Sequence, residues 1–258
     1  MRVITLLNQK GGTGKTTTAI NVGAALSRCG LKCLLVDIDP QGSLTQSAGF
    51  DEYLTEDDLT TYEVLQGSDI NRAIRSKKDA YDVLPTDIRL SAAEIELVNA
   101  DRRNYLLKDA LGKLKKSYDF IIIDSPPALN ILTLMALTAA TEVIIPVQAQ
   151  YLPLKGVAQL RDTVELVKSR FNPELEISGV LLTFYDERRN LDKDVLEALE
   201  QAFAGKVFET KISTNTKLAE APSYGKDVIA YSINSKGSVQ YRALAEEILR
   251  HETTEREV

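Results

Sequence analysis

A glycine-rich stretch near the start of the chain, NQKGGTGKTT (8–17), contains residues that could bind phosphate groups. Glycines let backbone N–H groups turn inward around phosphate oxygens, because no Cβ is in the way. Lys15 could contact the β- and γ-phosphates of a nucleotide, and the Thr16 hydroxyl could be a ligand of Mg²⁺. The usual pattern has a glycine where this chain has Gln9, and a second lysine, Lys10, follows it. The residues expected to contact the nucleotide here are Gly11, Gly12, Thr13, Gly14, Lys15, Thr16 and Thr17.

Carboxylates follow two apolar runs further along the chain. Asp37 and Asp39 end the run CLLVDID, and Asp124 ends the run YDFIIID. In an open parallel sheet, ligands bind beyond the carboxyl ends of the strands. An acid after four apolar residues is typical of the Mg²⁺-side carboxylate of nucleotide hydrolases, which suits Asp124. Of Asp37 and Asp39, we expect one to face the phosphates and the other to be structural.

These residues need a scaffold in which strands alternate with helices. Continuous apolar runs predict buried strands over 2–7, 33–39, 118–124, 142–147 and 177–184. Helical spacing predicts helices over 16–30, 61–67, 90–99, 102–116, 130–140, 154–170, 190–203 and 238–251. The pattern indicates an α/β protein with a single doubly wound, mostly parallel sheet and helices on both faces. We expect one domain over 1–258, with about seven disordered residues at its C-terminal end.

Composition excludes several classes of function. The chain has 258 residues, 44% hydrophobic and 26% charged, with no apolar run of the ~20 residues that span a bilayer. His251 is the single histidine, so histidine-based catalysis is not expected. Cys29 and Cys33 lack the second pair of a metal site, and we expect a cytoplasmic protein without a membrane contact. Net charge is −6, but residues 203–242 are mildly basic and could be a contact face or a solvated one.

Three motifs together resemble those of a known superfamily. The loop KGGTGKTT opens with an extra lysine, and DIDPQG and IIIDSPPALNILTLMAL follow it along the chain. This combination resembles the ParA/MinD superfamily of deviant Walker A ATPases. Further stretches narrow the resemblance to ParA/Soj-type partition ATPases with the P-loop NTPase fold, among them TTYEVLQG, YDVLPTDIRLSAAEIEL and VFETKISTNTKLAEAPSYGKDVIAYSINSKGS. The resemblance covers nearly the whole chain.

The resemblance implies roles for individual residues. Lys10 matches the signature lysine that reaches across a dimer interface to the nucleotide of the partner. Asp39 matches the residue that orients the attacking water, and Asp124 matches the Walker B acid, which leaves Asp37 as the structural acid or as a partner on the metal side. Asn215 matches the position that reads the adenine edge. The implied catalytic residues are Lys10, Lys15 and Asp39, and the implied Mg²⁺ site consists of Thr16, Asp39 and Asp124.

The resemblance also implies partners. An ATP-bound homodimer is expected to bind double-stranded DNA non-specifically and to associate with the nucleoid. A ParB-like centromere-binding protein is expected to stimulate a weak ATPase activity. The chain has ISTN where the family commonly has IPRN, so Ser213 stands in the adenine-side loop in place of proline. The candidate DNA-binding residues are Arg188, Arg189, Lys217 and Lys236.

Three alternatives use the same loop. A MinD-like ATPase acts at a membrane surface through a basic amphipathic helix, whereas the stretch EEILRHETTEREV is acidic-leaning. An electron-transfer iron protein needs cysteines at the sheet edge, and Cys29 and Cys33 lie elsewhere. A metabolic P-loop enzyme passes the γ-phosphate to a small substrate, which the ParA-like C-terminal stretches do not favour.

Overall fold

A seven-stranded sheet forms the centre of the molecule in the computed structural model, which describes residues 1–55, 57–149 and 154–255. The strands are β1 Arg2–Leu6, β2 Cys33–Asp37, β3 Arg75–Ser76, β4 Asp82–Leu84, β5 Phe120–Asp124, β6 Glu142–Gln148 and β7 Glu176–Thr183. Their order across the sheet is β3-β4-β2-β5-β1-β6-β7. Neighbouring strands are parallel except β3 and β4, which are antiparallel. The predicted α/β fold with a mostly parallel sheet is confirmed.

Helices cover both faces of this sheet. They are α1 Lys15–Arg28, α2 Ser43–Ser47, α3 Thr61–Leu65, α4 Ile70–Ala73, α5 Leu90–Glu96, α6 Leu106–Leu111, α7 Ile131–Ala139, α8 Leu154–Arg170, α9 Asn190–Ala202, α10 Thr216–Glu220, α11 Val228–Tyr231 and α12 Lys236–Glu255. In the part of the chain that the structure describes, no helix combines the length and the apolar character needed to cross a bilayer.

Two hydrophobic clusters lie on opposite faces of the sheet. In β2, Leu34 and Val36 belong to one cluster, whereas Cys33 and Leu35 belong to the other. Successive side chains of a strand point to opposite faces, so an unbroken apolar run is what a strand covered on both sides requires. Helices α3 to α9 contribute to the first cluster, and α1, α2, α11 and α12 contribute to the second.

Several element boundaries differ from the sequence predictions. The predicted helix over 102–116 is wrong in its extent: Arg102 has φ 52°, a short 3-10 turn follows, and α6 covers only Leu106–Leu111. A left-handed residue cannot continue a right-handed helix. Strands β3 and β4 were not predicted, because they are too short to form a periodic pattern.

The last helix ends at Glu255, beyond the predicted end at 251. Residues 256–258 of the tail lie outside the described part of the chain, so the predicted disorder there stays a prediction. The prediction of one domain over 1–258 is likewise untested.

Strand register brings the candidate carboxylates to one edge of the sheet. Asp124 of β5 lies opposite Leu6 of β1 on one side and opposite Asp37 of β2 on the other. The glycine loop starts directly after β1, at the same edge. The two acids and the loop, far apart in sequence, are therefore neighbours at the carboxyl ends of the central strands.

Candidate nucleotide-binding site

The glycine loop joins β1 to α1 and leaves the start of α1 open to a ligand. Gly12 has φ 75° and Gly14, the N-cap residue of α1, has φ 90°, conformations that strain any other L-residue. Gly14 has no side chain to cap this helix end. A Cβ at Gly11 or Gly12 would meet no atom of the described residues within 4 Å. The unsatisfied N–H groups and the positive end of α1 form an anion site.

Hydrogen bonds also join the glycine loop to strands β6 and β7 of the sheet. Thr183, the last residue of β7, donates a hydrogen bond to the carbonyl oxygen of Thr13 at 2.9 Å. The Asn8 side chain donates to the carbonyl of Pro146 at 2.7 Å and accepts from the backbone N–H of Lys10 at 2.9 Å. These bonds hold the loop in shape independently of a ligand.

Lys15 lies inside the loop with only 7% of its surface exposed. Its Nζ donates to the carbonyl oxygen of Asn8 at 3.1 Å. Burial lowers the pKa of this ammonium group, and the nearby carboxylates of Asp124 and Asp39 oppose that shift. A buried cation held by one carbonyl is well placed to bind the terminal phosphates of a nucleotide.

Thr16 and Asp124 form a pair that suits a Mg²⁺ ion. The Thr16 hydroxyl donates to Oδ2 of Asp124 at 2.6 Å, while Oδ1 of Asp124 is buried and has no hydrogen-bond partner among the described residues. Burial, and then the neighbouring carboxylate of Asp37, raise the pKa of Asp124 to about 8. A hydroxyl and a carboxylate oxygen are the ligands that Mg²⁺ prefers, and a cation here would stabilise the ionised acid. The residues present therefore fit a Mg²⁺ ion.

The two acids of the DID motif have different surroundings. Asp37 is fully buried and accepts hydrogen bonds from the backbone N–H and the hydroxyl of Thr45, at 2.8 and 2.7 Å. Burial raises the pKa of Asp37 to about 7. Asp39 is half-buried and accepts from the backbone N–H of Gln41 at 3.0 Å. Asp37 thus holds α2 against the sheet, and Asp39 lies in the loop between β2 and α2. The role of Asp39 as a metal ligand or water-orienting residue stays a prediction.

Lys10, the second lysine of the loop, is exposed. Its Nζ donates to the side-chain oxygen of Gln148 at 3.3 Å. Unlike Lys15, it lies outside the enclosed part of the loop, at a position from which a neighbouring molecule could be reached. Its action across a dimer interface stays a prediction.

A cavity of about 290 Å³ adjoins the glycine loop at Gly14 and Thr17. Apolar atoms of Ile212, Leu218 and Tyr241 form part of its wall, which suits the flat faces of a purine base. Asn215 caps α10 by accepting from the backbone N–H of Lys217 at 2.9 Å. The full lining is Gly14, Thr17, Thr183, Phe184, Ile212, Ser213, Thr214, Asn215, Thr216, Leu218, Ala219 and Tyr241. The structure therefore places Thr17, Ser213 and Asn215 around one cavity. Their contact with a nucleotide stays a prediction.

Ser213 replaces the proline of the family pattern and makes contacts that proline cannot make. Its backbone N–H and its hydroxyl both donate to Oε1 of Gln240 in α12, at 3.1 Å each. The adenine-side loop therefore lacks the rigid proline ring at position 213 but has two hydrogen bonds to helix α12 instead. Sequence reasoning missed Gln240, because nothing local connects positions 213 and 240.

The candidate DNA-binding residues lie on the surface, and three of them pair with acids. Arg188 is 85% exposed and contacts Asp186 with two nitrogens, at 2.9 and 2.8 Å. Arg189 lies 3.9 Å from the same carboxylate. Lys217 contacts a carboxylate three residues later at 2.8 Å, and Lys236 is exposed at the start of α12. Their contact with DNA stays a prediction.

Similarity to known proteins agrees with this geometry. A family model described as an AAA domain matches residues 1–177. The chromosome partitioning protein ParA of Caulobacter vibrioides is 43% identical over 98% of this chain and 95% of its own length. The sporulation initiation inhibitor protein Soj of Bacillus subtilis is 45% identical over 96% of this chain and 98% of its own length.

A solved structure has the same fold with a nucleotide in place. A protein from Mycobacterium smegmatis, described as cobyrinic acid a,c-diamide synthase with bound ATP analog and magnesium, superposes with a TM-score of 0.85. It is 38% identical, and the match covers 98% of this chain and 96% of that one. With the loop, the paired acids and these relatives taken together, the chain belongs to the ParA/Soj family of partition ATPases.

Proposed function

We propose that this protein is an ATP-dependent dimerising switch for the partition of chromosomal or plasmid DNA. The observation that carries this proposal is the arrangement of Lys15, Thr16 and Asp124 around the open start of α1, at the edge of the sheet. It supplies a buried cation, a hydroxyl and a carboxylate where a nucleotide triphosphate and its metal would lie. The identity to chromosome partitioning proteins supports the cellular role.

Each group of the site has a defined task in ATP hydrolysis. Lys15 exchanges its carbonyl contact for the terminal phosphates, and the base enters the cavity beside Asn215. Thr16 and Asp124 would hold Mg²⁺, which when bound would stabilise negative charge on the phosphates. Asp39, whose loop is fastened through Asp37 and α2, orients the attacking water.

Dimerisation follows from charge. ATP is a polyanion, and two subunits cannot bring two such anions face to face without cations between them. Lys10 is exposed beside the loop and supplies that cation to the partner's nucleotide. The attraction between each Lys10 and the partner's terminal phosphates thus favours the dimer when ATP is bound. Hydrolysis and release of the terminal phosphate remove that attraction and so weaken the dimer.

The dimer would bind DNA without reading its sequence. Two copies of Arg188, Arg189, Lys217 and Lys236 in a dimer would double the number of phosphate contacts available to the protein. Affinity then rises steeply on dimerisation and falls steeply with salt. We infer that a ParB-like partner stimulates hydrolysis and so releases the protein from the nucleoid.

The Asp39→Ala variant tests the cycle. It should bind ATP, form a stable dimer and stay on DNA, with hydrolysis reduced to background. Asp194→Ala removes an exposed carboxylate of α9 and is the matched control. Phosphate release, light scattering and DNA retention at low salt are measured with ATP and with ADP. Normal hydrolysis by Asp39→Ala removes that residue from the mechanism, and equal, negligible DNA retention in ATP and ADP refutes the DNA-binding role.

A second variant separates the two lysines. Lys10→Ala should still bind ATP but should not dimerise, because Lys15 serves the nucleotide of its own subunit. Dimers of Lys10→Ala with unchanged ATP dependence would refute the role across the interface.

One observation favours a second candidate function. The M. smegmatis structure at 38% identity is described as a synthase that acts on cobyrinic acid. A cavity of about 410 Å³, lined in part by Gln41, Thr86 and Arg89, adjoins the loop of Asp39 and could hold a small acceptor. Stimulation of ATP hydrolysis by cobyrinic acid with an ammonium salt as the nitrogen donor of an amide, and not by DNA with a ParB-like protein, would select this alternative.

A further inference from the structure

Lys77 lies in the hairpin between β3 and β4, away from the glycine loop, and its ammonium group joins two other segments. Nζ donates to the carbonyl oxygen of Ala48 at 2.6 Å and to that of Gly225 at 2.5 Å. The side chain is half-buried, and Nζ lies 5.9 Å from the centre of the Phe50 ring. Ordering a lysine at two carbonyls costs side-chain entropy, which the two charge-assisted hydrogen bonds must offset.

Both carbonyls belong to the ends of short helical segments. Ala48 is the C-cap of α2, and Gly225 is the C-cap of the 3-10 turn Ala221–Tyr224. Carbonyls at helix ends lack partners within the helix and carry partial negative charge, which a cation stabilises. One ammonium group therefore serves two helix ends at once.

The backbones of these two segments also touch directly. A Cβ at Gly225 would lie 2.8 Å from Cα of Gly49, and a Cβ at Gly49 would lie 3.0 Å from Cα of Gly225. Both glycines have positive φ, 78° and 57°. Only glycine permits so close an approach of the two backbones. The two segments are therefore held together by direct backbone contact and by the hydrogen bonds of Lys77.

The two joined segments are linked to different parts of the candidate nucleotide site. On one side, α2 is anchored to buried Asp37 through Thr45 and follows the loop of Asp39. On the other side, the turn ending at Gly225 follows α10, where Leu218 and Ala219 line the base cavity. A continuous chain of packed contacts thus connects the base cavity to the segment of the hydrolytic acid.

We propose that Lys77 is a positioning residue that couples occupancy of the base cavity to the placement of Asp39 beside the phosphates. This inference rests on the proposed ATPase function. A base that fills the cavity orders α10 and the turn after it, and Lys77 with the two glycines transmits that order to α2. The base then contributes to the rate of hydrolysis as well as to affinity.

A thermodynamic cycle tests the coupling. Phosphate release is measured for native protein and Lys77→Met, each with ATP and with ribose 5′-triphosphate, which lacks the base. Lys78→Met removes the exposed neighbouring charge and is the control. In native protein and Lys78→Met, we expect the base to raise kcat about fivefold or more, the lower end of measured couplings between sites. In Lys77→Met the base should raise kcat less than about twofold, while KM for ATP changes little.

The outcomes separate this inference from the proposed function. A base effect on kcat that is as large in Lys77→Met as in native protein refutes the coupling, and so does a native kcat that is indifferent to the base. Absence of ATP hydrolysis in native protein, alone and with DNA and a ParB-like protein, refutes the proposed function instead.

Hydrogen exchange on native protein gives a second test that does not depend on a variant folding. Adenosine has the base but no phosphate, so it cannot touch Asp39 directly. Saturating adenosine should slow amide exchange in residues 43–50 as well as in residues 213–225. Slowing confined to 213–225 would refute the transmission through Lys77.

Discussion

Replacement of Thr45 by valine removes one hydroxyl from the junction between β2, α2 and the end of β4. The hydroxyl donates to Oδ2 of Asp37 at 2.7 Å and accepts from the backbone N–H of Thr86 at 2.9 Å. All three residues are buried. Valine has nearly the same shape, so the change isolates the polar contacts from packing.

The magnitude follows from these two contacts. A hydrogen bond to a charged group contributes about 1.5–3 kcal/mol, and a buried N–H left without a partner costs about 1–3 kcal/mol. In the variant, the carboxylate of Asp37 still accepts the hydrogen bond from the backbone N–H of residue 45, which is 2.8 Å long in the native protein. The carboxylate therefore retains a hydrogen-bond partner. We expect Thr45→Val to lower the free energy of unfolding by about 3–5 kcal/mol. Because the pKa of Asp37 is about 7, the loss should be larger at pH 8 than at pH 5.

Urea unfolding of the protein without nucleotide measures this loss, provided that the m-value is unchanged. Thr163→Val is the control, since the Thr163 hydroxyl donates only to the carbonyl of Gln159 within α8, at 2.8 Å on the surface. It should cost less than about 0.5 kcal/mol. If Thr45→Val and Thr163→Val differ by less than about 1 kcal/mol, the hydroxyl does not hold α2 to the sheet.

Two further predictions concern charge. Burial raises the pKa values of Asp37 and Asp124 above the unfolded value near 3.9, so the folded protein binds more protons and its stability falls as pH rises from about 5 to 8. Urea unfolding at three pH values checks this: Asp124→Asn should flatten the decline, and a metal-free native protein that gains stability over that range contradicts it. Separately, Asp186→Asn should strengthen ATP-dependent DNA binding a fewfold by releasing Arg188 from its carboxylate. DNA affinity is measured by titration at low salt for Asp186→Asn and for the control Asp194→Asn, which removes one negative charge elsewhere on the surface. Equal increases in affinity in both variants would show that only net charge matters and would contradict the prediction.

The parts of the site that the sequence predicts are those encoded locally. The glycine loop, its lysine and the acids after apolar runs each occupy a few adjacent residues, and the parallel sheet brings them to one edge. Asp82 illustrates the opposite case. It is a buried acid at the start of β4, and it accepts hydrogen bonds from the side chains of Lys116 and Tyr118, more than thirty residues away in the sequence. A buried carboxylate in a three-residue strand has no recognisable pattern without those partners.

The contacts that join distant segments beside the candidate site were not predictable for the same reason. Lys77 joins positions 48 and 225, and Ser213 meets Gln240. Both lysine and serine are ordinary surface residues in their own neighbourhoods. Their importance follows only from which chain segments the fold places next to them.

The attachment of the glycine loop to β7 has a consequence for how the protein is made. The ribosome synthesises the loop first, but Thr183, which holds Thr13 in place, emerges about 170 residues later. Tyr241, whose hydroxyl is hydrogen-bonded to Thr18 at 3.1 Å, emerges later still. Contacts between such distant residues form slowly, after the intervening chain has closed into place. A nascent chain is therefore expected to capture nucleotide only near the end of its synthesis.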